Sequence, residues 1–212
     1  MSTAIIISNG TINDYSYYSK YLDSCKFVIC ADGGATHARK FGIVPDILLG
    51  DFDSIPTHDL EFFRSLGVEI LKFPTEKDMT DTELAVDLAI KRGYDELIFI
   101  GGLGTRLDHS LSNIFILKMM LYKGIKGVIV NENNEIALIN SHIRLQKEDG
   151  IKVTLLPLSE KVDGVTTKGF YYKLDNATLF MGSSWGVSNE FVEDTAEVSI
   201  TSGYLLVIKA RD

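Results

Sequence analysis

A chain of 212 residues, 45% hydrophobic and 24% charged, has ordinary globular composition, enough for one large domain or two small ones. Its formal net charge of −8 leaves no overall electrostatic case for a nucleic acid or an anionic membrane as partner. Cys25 and Cys30 lack a partner cluster and read as reduced thiols, and Ala4–Ile7 is too short for a signal peptide or membrane span, so a soluble cytoplasmic protein is expected.

Ala4–Ser8 is an apolar run ending in Ser8-Asn9-Gly10, as expected of a buried parallel strand and a turn. Thr11–Ser24 is tyrosine-rich and expected to be helical in part. Phe27–Cys30 reads as a second strand, ending in Ala31-Asp32-Gly33-Gly34-Ala35, and Ala35–Phe41 as a short helix stopped by Gly42. Pro45 precedes a third strand, Asp46–Leu49, which runs into Gly50-Asp51-Phe52-Asp53-Ser54. His58–Leu66 carries Leu60, Phe62, Phe63 and Leu66 at helical spacing and is closed by Gly67. A fourth strand is expected over Val68–Phe73. Thr80 with Glu83 makes a capping-box pattern ahead of Leu84, Ala85, Leu88 and Ala89, which share one helical face. Leu97–Ile100 is a fifth strand ending at Gly101-Gly102. Leu107, Leu111, Ile114, Phe115 and Lys118 form another helical stripe running to Tyr122, and Gly127–Val130 is a sixth strand. Strands alternating with helices in this way argue for a parallel sheet covered on both faces.

Past Asn131 no segment reads as a long amphipathic helix. Short strand-like runs follow at Ile136–Ile139, His142–Gln146, Ile151–Leu156, Tyr171–Leu174, Phe191–Val192, Glu197–Ile200 and Tyr204–Ile208, punctuated by Asp-Gly, Lys-Gly, Met-Gly and Ser-Gly turn pairs. The expected fold class is α/β: a doubly wound, mostly parallel sheet over residues 1–131, then a small all-β sandwich domain over residues 132–212.

Four turns after strands hold Asp or Gly: Asp32–Gly34, Asp51–Ser54, Lys77–Asp81 and Gly101–His109. In a doubly wound sheet all four emerge on one edge, where such sheets bind ligands. Asp51 and Asp53 are two apart, so an extended backbone would point both carboxylates to one side. With Asp78 and Asp81 they form an acidic set whose hard oxygens suit magnesium, which takes one or two carboxylates and leaves positions for phosphate and water. Taken singly, Asp51 and Asp53 read rather as turn formers and Asp81 as a first-turn carboxylate favoured by the helix dipole; taken together, the set favours the site.

Gly101–Arg106 is a glycine-rich turn that can present backbone N–H groups to phosphate, without the Gly-Lys-Ser/Thr of a Walker A or the spacing of a dinucleotide fingerprint. Arg106 suits a phosphate and Asp108 can orient a hydroxyl; alternatively the two form a surface pair. His109 has no second histidine at metal-ligand spacing. In the second domain Ser183–Glu190 carries Trp185, and Tyr171 and Tyr172 lie nearby; such groups can grip a flat heterocycle or belong to an ordinary turn and core. No Ser-His-Asp order or nucleophile elbow is present.

Ala31–Ala35, Gly50–Ser54, Lys77–Ala85, Gly101–His109 and Gly186–Phe191 together strongly resemble the thiamine pyrophosphokinase family, in matching order over nearly the whole chain. The resemblance implies an α/β catalytic domain, a β-sandwich, and a homodimer with thiamine at the subunit interface. It implies magnesium among Asp51, Asp53 and Asp81, with Lys77 and Thr80 near the phosphates of ATP. Asp32, Gly33, Gly102 and Arg106 join the nucleotide set, and Asp81, Arg106 and Asp108 the reacting end. Ser188 and Asn189 match the thiamine-contacting loop, and Tyr172 falls where some members place a stacking tryptophan. The reaction implied is attack of the thiamine hydroxyl on the β-phosphorus of ATP, giving thiamine diphosphate and AMP. Two other readings stay open: a diphosphokinase for a pterin alcohol, and a non-catalytic thiamine or nucleotide sensor, against which the clustered carboxylates argue.

Overall fold

The computed structural model describes residues 2–25 and 27–211; Met1 and Asp212, which bound the expected domains, and Lys26 lie outside the described residues. Two compact units divide the chain between Glu132 and Asn133.

The first unit alternates strand and helix: β1 Thr3–Ile7, a 3-10 segment Tyr15–Tyr18 leading into α1 Ser19–Leu22, β2 Val28–Ala31, α2 Gly34–Phe41, β3 Ile47–Gly50 and α3 Thr57–Ser65. There follow β4 Glu69–Lys72, α4 Asp81–Lys91, β5 Glu96–Ile100, α5 Leu107–Tyr122 and β6 Lys126–Val130. The six strands pair in parallel in the order β6-β5-β1-β2-β3-β4. β2 and β3 are buried along their whole length, and β1 at all but its first residue. A strand covered on both faces has no polar side to alternate with, so it reads as one apolar run. The order reverses direction between β1 and β5, whose registers match Ile7 with Ile100. The crevice beyond the carboxyl ends of these two strands is therefore the switch point of the sheet.

Local signals place the helices. Thr80 is the N-cap of α4, its hydroxyl accepting from the Glu83 backbone N–H at 3.2 Å. Gly42 ends α2 in the left-handed conformation at φ 70°. The stripe Leu107, Leu111 and Phe115 on α5 is not its buried face. Those side chains are 69%, 41% and 54% exposed, and Ser110, Asn113, Ile116, Leu117 and Met120 are buried instead.

The second unit holds β7 Asn134–Ile139, β8 His142–Gln146, β9 Lys152–Pro157, β10 Lys161–Lys168, β11 Ala177–Phe180, β12 Asn189–Glu190, β13 Thr195–Ser199 and β14 Leu205–Ala210. They form two antiparallel sheets, β12-β9-β14-β7 and β11-β10-β13-β8. Inward residues of both, among them Leu145, Val153, Leu155, Val162, Val198 and Val207, share one core, which makes a β-sandwich. Three strands were not legible in the sequence, β10, β11 and β12; the expected Phe191–Val192 lies just past β12 and holds only the isolated bridge at Phe191. β10 alternates Lys161, Asp163 and Thr166 with buried Val162, Val165 and Thr167, and its register shifts between Val162 and Val165 around Gly164, at φ 68°. Conversely, Tyr171–Leu174 is no strand; Tyr171 and Tyr172 are exposed in a loop after Phe170, which bridges Phe191.

Candidate active site

A cleft of about 520 Å³ opens at the switch point. Its walls come from the loop after β1 (Ser8–Thr11), the ends of β2 and β3 (Asp32, Asp51), the chain entering α4 (Lys77 and Met79–Thr82) and the glycine-rich turn before α5 (Gly101, Gly102 and Gly104–Arg106), whereas Asp78 is exposed and outside it. The first and last are knitted together. The Gly10 N–H donates to Gly101 O at 2.8 Å and the Thr11 N–H to Leu103 O at 2.8 Å. A Cβ on Gly10 would collide with the Gly101 and Leu103 carbonyl oxygens, and one on Gly101, at φ 66°, with the Ser8 carbonyl. Both positions need glycine for close approach, and Gly101 also for its backbone angle.

The N-termini of α4 and α5 face this space through Thr80, Asp81 and Thr82, and through Thr105, Arg106 and His109. Free backbone N–H groups and the positive end of the dipole make such ends receptive to anions. The Ser110 hydroxyl accepts from the Gly104 N–H at 3.0 Å and donates to Arg106 O at 3.0 Å, while the Asn113 amide donates to Gly102 O at 2.7 Å. These buried groups of α5 fix the turn from behind.

The carboxylates gather around Lys77 at the start of α4. Lys77 Nζ lies 3.2 Å from Asp81 Oδ1 and 3.8 Å from Asp51 Oδ2, and donates to Pro74 O at 3.0 Å. Asp81 Oδ1 is buried and accepts no well-aligned hydrogen bond, the lysine notwithstanding. Burial raises the Asp81 pKa, Lys77 opposes the rise, and the charges of Asp32 and Asp51 add to it. Asp32, in the left-handed region at φ 44°, holds a buried Oδ1 with no hydrogen-bond partner.

Asp51 and Asp53 are not the parallel pair that an extended backbone implies. Phe52 takes φ 67°, turning the chain, and Asp51 Oδ1 accepts from the Asp53 N–H at 3.0 Å. Asp53 is exposed and, like Gly33 at the N-cap of α2, does not line the cleft. Among the described residues no group of three or more His, Cys, Asp or Glu side chains is arranged to hold a metal ion. Asp51 and Asp81, with the unpartnered buried oxygen of Asp32, nevertheless fit magnesium, which draws one or two ligands from protein carboxylates and the rest from phosphate and water.

Arg106 and Asp108 pair with each other. The guanidinium donates from Nη2 to Oδ2 at 2.6 Å and from Nε to Oδ1 at 3.2 Å, with both side chains about two-thirds exposed, at 69% and 66%. That bidentate contact, with the His109 backbone N–H, lowers the Asp108 pKa to about 2. In the second unit Tyr172 is 62% exposed and its ring packs edge-on against Tyr171. Asn189 is buried: its Oδ1 accepts from the Tyr172 and Glu190 N–H groups, and its amide donates to Tyr172 O. Ser188 is exposed at φ 59°, its N–H donating to Thr154 Oγ1 at 3.0 Å.

Ser8–Thr11, Thr75, Ser110 and Asn113 also line the cleft and were not among the candidate residues. For Ser8–Thr11 a signal existed, because the turn after the first strand of a doubly wound sheet lies beside the switch point.

Such a cleft defines a class, that of phosphate-handling α/β enzymes, in which helix ends and a lysine receive an anion and acidic side chains seat its counter-cation. Comparison with known proteins is more specific. Residues 18–129 match the family model for the thiamin pyrophosphokinase catalytic domain, and residues 140–205 that for its vitamin B1 binding domain. The chain is 30% identical over its full length and that of its relative to thiamine pyrophosphokinase of Bacillus subtilis. To thiamine pyrophosphokinase 1 of Oryza sativa it is 27% identical, over 90% of this chain and 81% of the relative. The solved Bacillus subtilis structure superposes with a TM-score of 0.91 over all of both chains at 27% identity; the yeast structure shares the fold, with a TM-score of 0.79 over 99% and 86% of the chains at 18% identity. The chain belongs to the thiamine pyrophosphokinase family and is a diphosphotransferase.

Proposed function

We propose that this protein transfers the terminal diphosphate of ATP to the primary hydroxyl of thiamine, giving thiamine diphosphate, AMP and a proton, with magnesium required. The observation that carries the reading is the meeting of Lys77, Asp51 and Asp81 with two helix N-termini and the Gly101–Arg106 turn in one cleft. A thiamine pyrophosphokinase matches the chain over its full length, which supports thiamine as the acceptor.

ATP lies in the cleft of residues 1–131, its phosphates received by the Gly101–Gly102 turn, the N-termini of α4 and α5, Thr80 and Lys77, beside Asp32 and Gly33. Asp51 and Asp81 hold magnesium, with Asp53 adding negative charge at the same turn; the ion would neutralise phosphate charge and keep the polyphosphate in line. The chain's own contribution is to orient and to neutralise, the greater part of phosphoryl-transfer catalysis. Arg106 meets charge on the transferring group. Asp108, its pKa lowered by the Arg106 guanidinium, is ionised at neutral pH and orients Arg106 or the thiamine hydroxyl through a hydrogen bond.

Thiamine binds the sandwich of residues 132–212, a region matching a vitamin B1 binding domain. Tyr172 offers an exposed ring for stacking, Ser188 a hydroxyl, and Asn189 holds the Tyr172 backbone in place. The enzyme acts as a homodimer, a reading supported by the exposed apolar face of Leu107, Leu111 and Phe115 beside the cleft. It works in the cytoplasm. Among the described residues no helix is long and apolar enough to cross a membrane.

The test is incubation of purified protein with ATP, magnesium and thiamine, following AMP and thiamine diphosphate. Both should appear in equal amounts, and Asp51→Ala should abolish them while leaving a folded protein. Turnover of a hydroxymethylpterin in place of thiamine would make it a different diphosphokinase. Binding of thiamine without AMP would make it a sensor.

A further inference from the structure

His37 lies on α2, does not line the cleft, and is buried at 8% exposure. Both of its ring nitrogens are engaged. Nε2 is 2.9 Å from the Gly10 carbonyl oxygen and Nδ1 is 2.8 Å from the Tyr15 hydroxyl. A carbonyl oxygen only accepts, so Nε2 carries the proton and donates. Burial, helped by the Lys40 charge and opposed by the bond to Gly10, lowers the ring's pKa and keeps it neutral. Nδ1 therefore accepts from Tyr15. The two contacts select a single tautomer.

Tyr15 is itself fixed, its ring edge-on to Phe41 at 4.8 Å between centroids, in the 3-10 segment that Asp14 caps. On the other side, Gly10 belongs to the cleft wall and gives its N–H to Gly101, while Thr11 gives its N–H to Leu103. A continuous hydrogen-bonded path thus runs from Tyr15 through His37 and the Gly10 peptide into the glycine-rich turn. The Gly10–Thr11 peptide is thus held at both ends, its carbonyl by His37 and its N–H by the Leu103 carbonyl.

We propose that His37 is a positioning residue for the nucleotide: its Nε2–H anchors the Gly10 carbonyl, and so sets the backbone of the Ser8–Thr11 loop and of the Gly101–Gly104 turn for the polyphosphate. This rests on the reading that ATP occupies the cleft. His37 touches no reacting atom and moves no proton. Its effect reaches the substrate through two peptide groups, so it acts on nucleotide affinity rather than on thiamine.

Three variants test it, His37→Leu, His37→Gln and Tyr15→Phe, assayed for KM of ATP, KM of thiamine, kcat, thermal midpoint and binding of a non-hydrolysable ATP analogue with magnesium. His37→Leu removes the donor and should weaken ATP about tenfold, with KM for thiamine unchanged. His37→Gln places an amide N–H where Nε2 stood and should restore most of that loss. Tyr15→Phe keeps the anchor but frees the ring, and should weaken ATP by about two- to fivefold. Should His37→Leu not fold, the Gln variant retaining ATP affinity while Tyr15→Phe loses it still supports the role. Unchanged ATP constants in folded variants, or equal losses for ATP and thiamine, overturn it as a merely structural contact. Failure of the wild type to bind the ATP analogue overturns instead the functional reading beneath it.

Discussion

The Lys77 ammonium lies 3.2 Å from Asp81 Oδ1, and the same nitrogen is 3.8 Å from Asp51 Oδ2. One lysine thus holds two carboxylates together at the mouth of α4, with the three side chains only 14–21% exposed. Removing its charge in Lys77→Met leaves like charges facing each other at a partly buried site, which should cost about 1–3 kcal/mol of stability without magnesium. Magnesium should then raise the thermal midpoint of the variant more than that of the wild type. Melts with and without the ion check this, and an equal increment in both proteins would place the ion elsewhere.

Asp108→Asn separates orientation from proton transfer. With Arg106 holding its pKa at about 2, Asp108 remains ionised throughout the working range. The variant should lose about tenfold or more in kcat through the lost pairing, yet keep the acid limb of its pH–rate profile where the wild type has it. A displaced limb would restore Asp108 as the base.

Tyr172 and Asn189 should fail differently. Tyr172→Ala removes an exposed ring, and its expected effect is an increase of about tenfold in KM for thiamine, with the fold's stability unchanged. Asn189→Ala strips hydrogen bonds from the Tyr172 and Glu190 backbone, and should add a loss of about 1–3 kcal/mol in stability. Paired melts and thiamine titrations distinguish the two.

A pH effect on stability belongs to the second unit. Lys209 is largely buried between Glu135 and Glu148; burial works against its charge, but the two carboxylates outweigh it and its pKa is raised. A raised lysine pKa gives stability that is complete below the unfolded value, near 10.5, and is lost as pH climbs through the folded value. The thermal midpoint should therefore drop above about pH 10.5, and Lys209→Met should flatten that drop.

Much of the scaffold was legible because its causes are local. Ala4–Ile7 and Ile47–Leu49 are apolar throughout because both faces are covered, and Thr80 with Glu83 announces a helix start within one turn. The misjudged places are those where a distant partner decides. The stripe of Leu107, Leu111 and Phe115 looks like a core face, yet α5 buries Asn113 and Ser110 because they must hold the Gly101–Arg106 turn. β10 was hidden by its exposed polar alternates and by Gly164, and nothing in its own residues reveals the partners β11 and β13.

By itself the sequence determined which segments are buried strands, where helices begin, and which turns carry Asp, Lys and Gly. The tertiary structure alone decided how those turns meet. Pairing of β1 with β5 joins segments distant in the chain and brings Gly10 against Gly101, a contact no local pattern encodes. The left-handed backbone at Phe52 turned a supposed pair of carboxylates into a hydrogen-bonded turn and left Asp51, not Asp53, beside Lys77. Strand propensity is set by neighbouring residues, but the direction a carboxylate points depends on backbone angles that only the packed chain imposes.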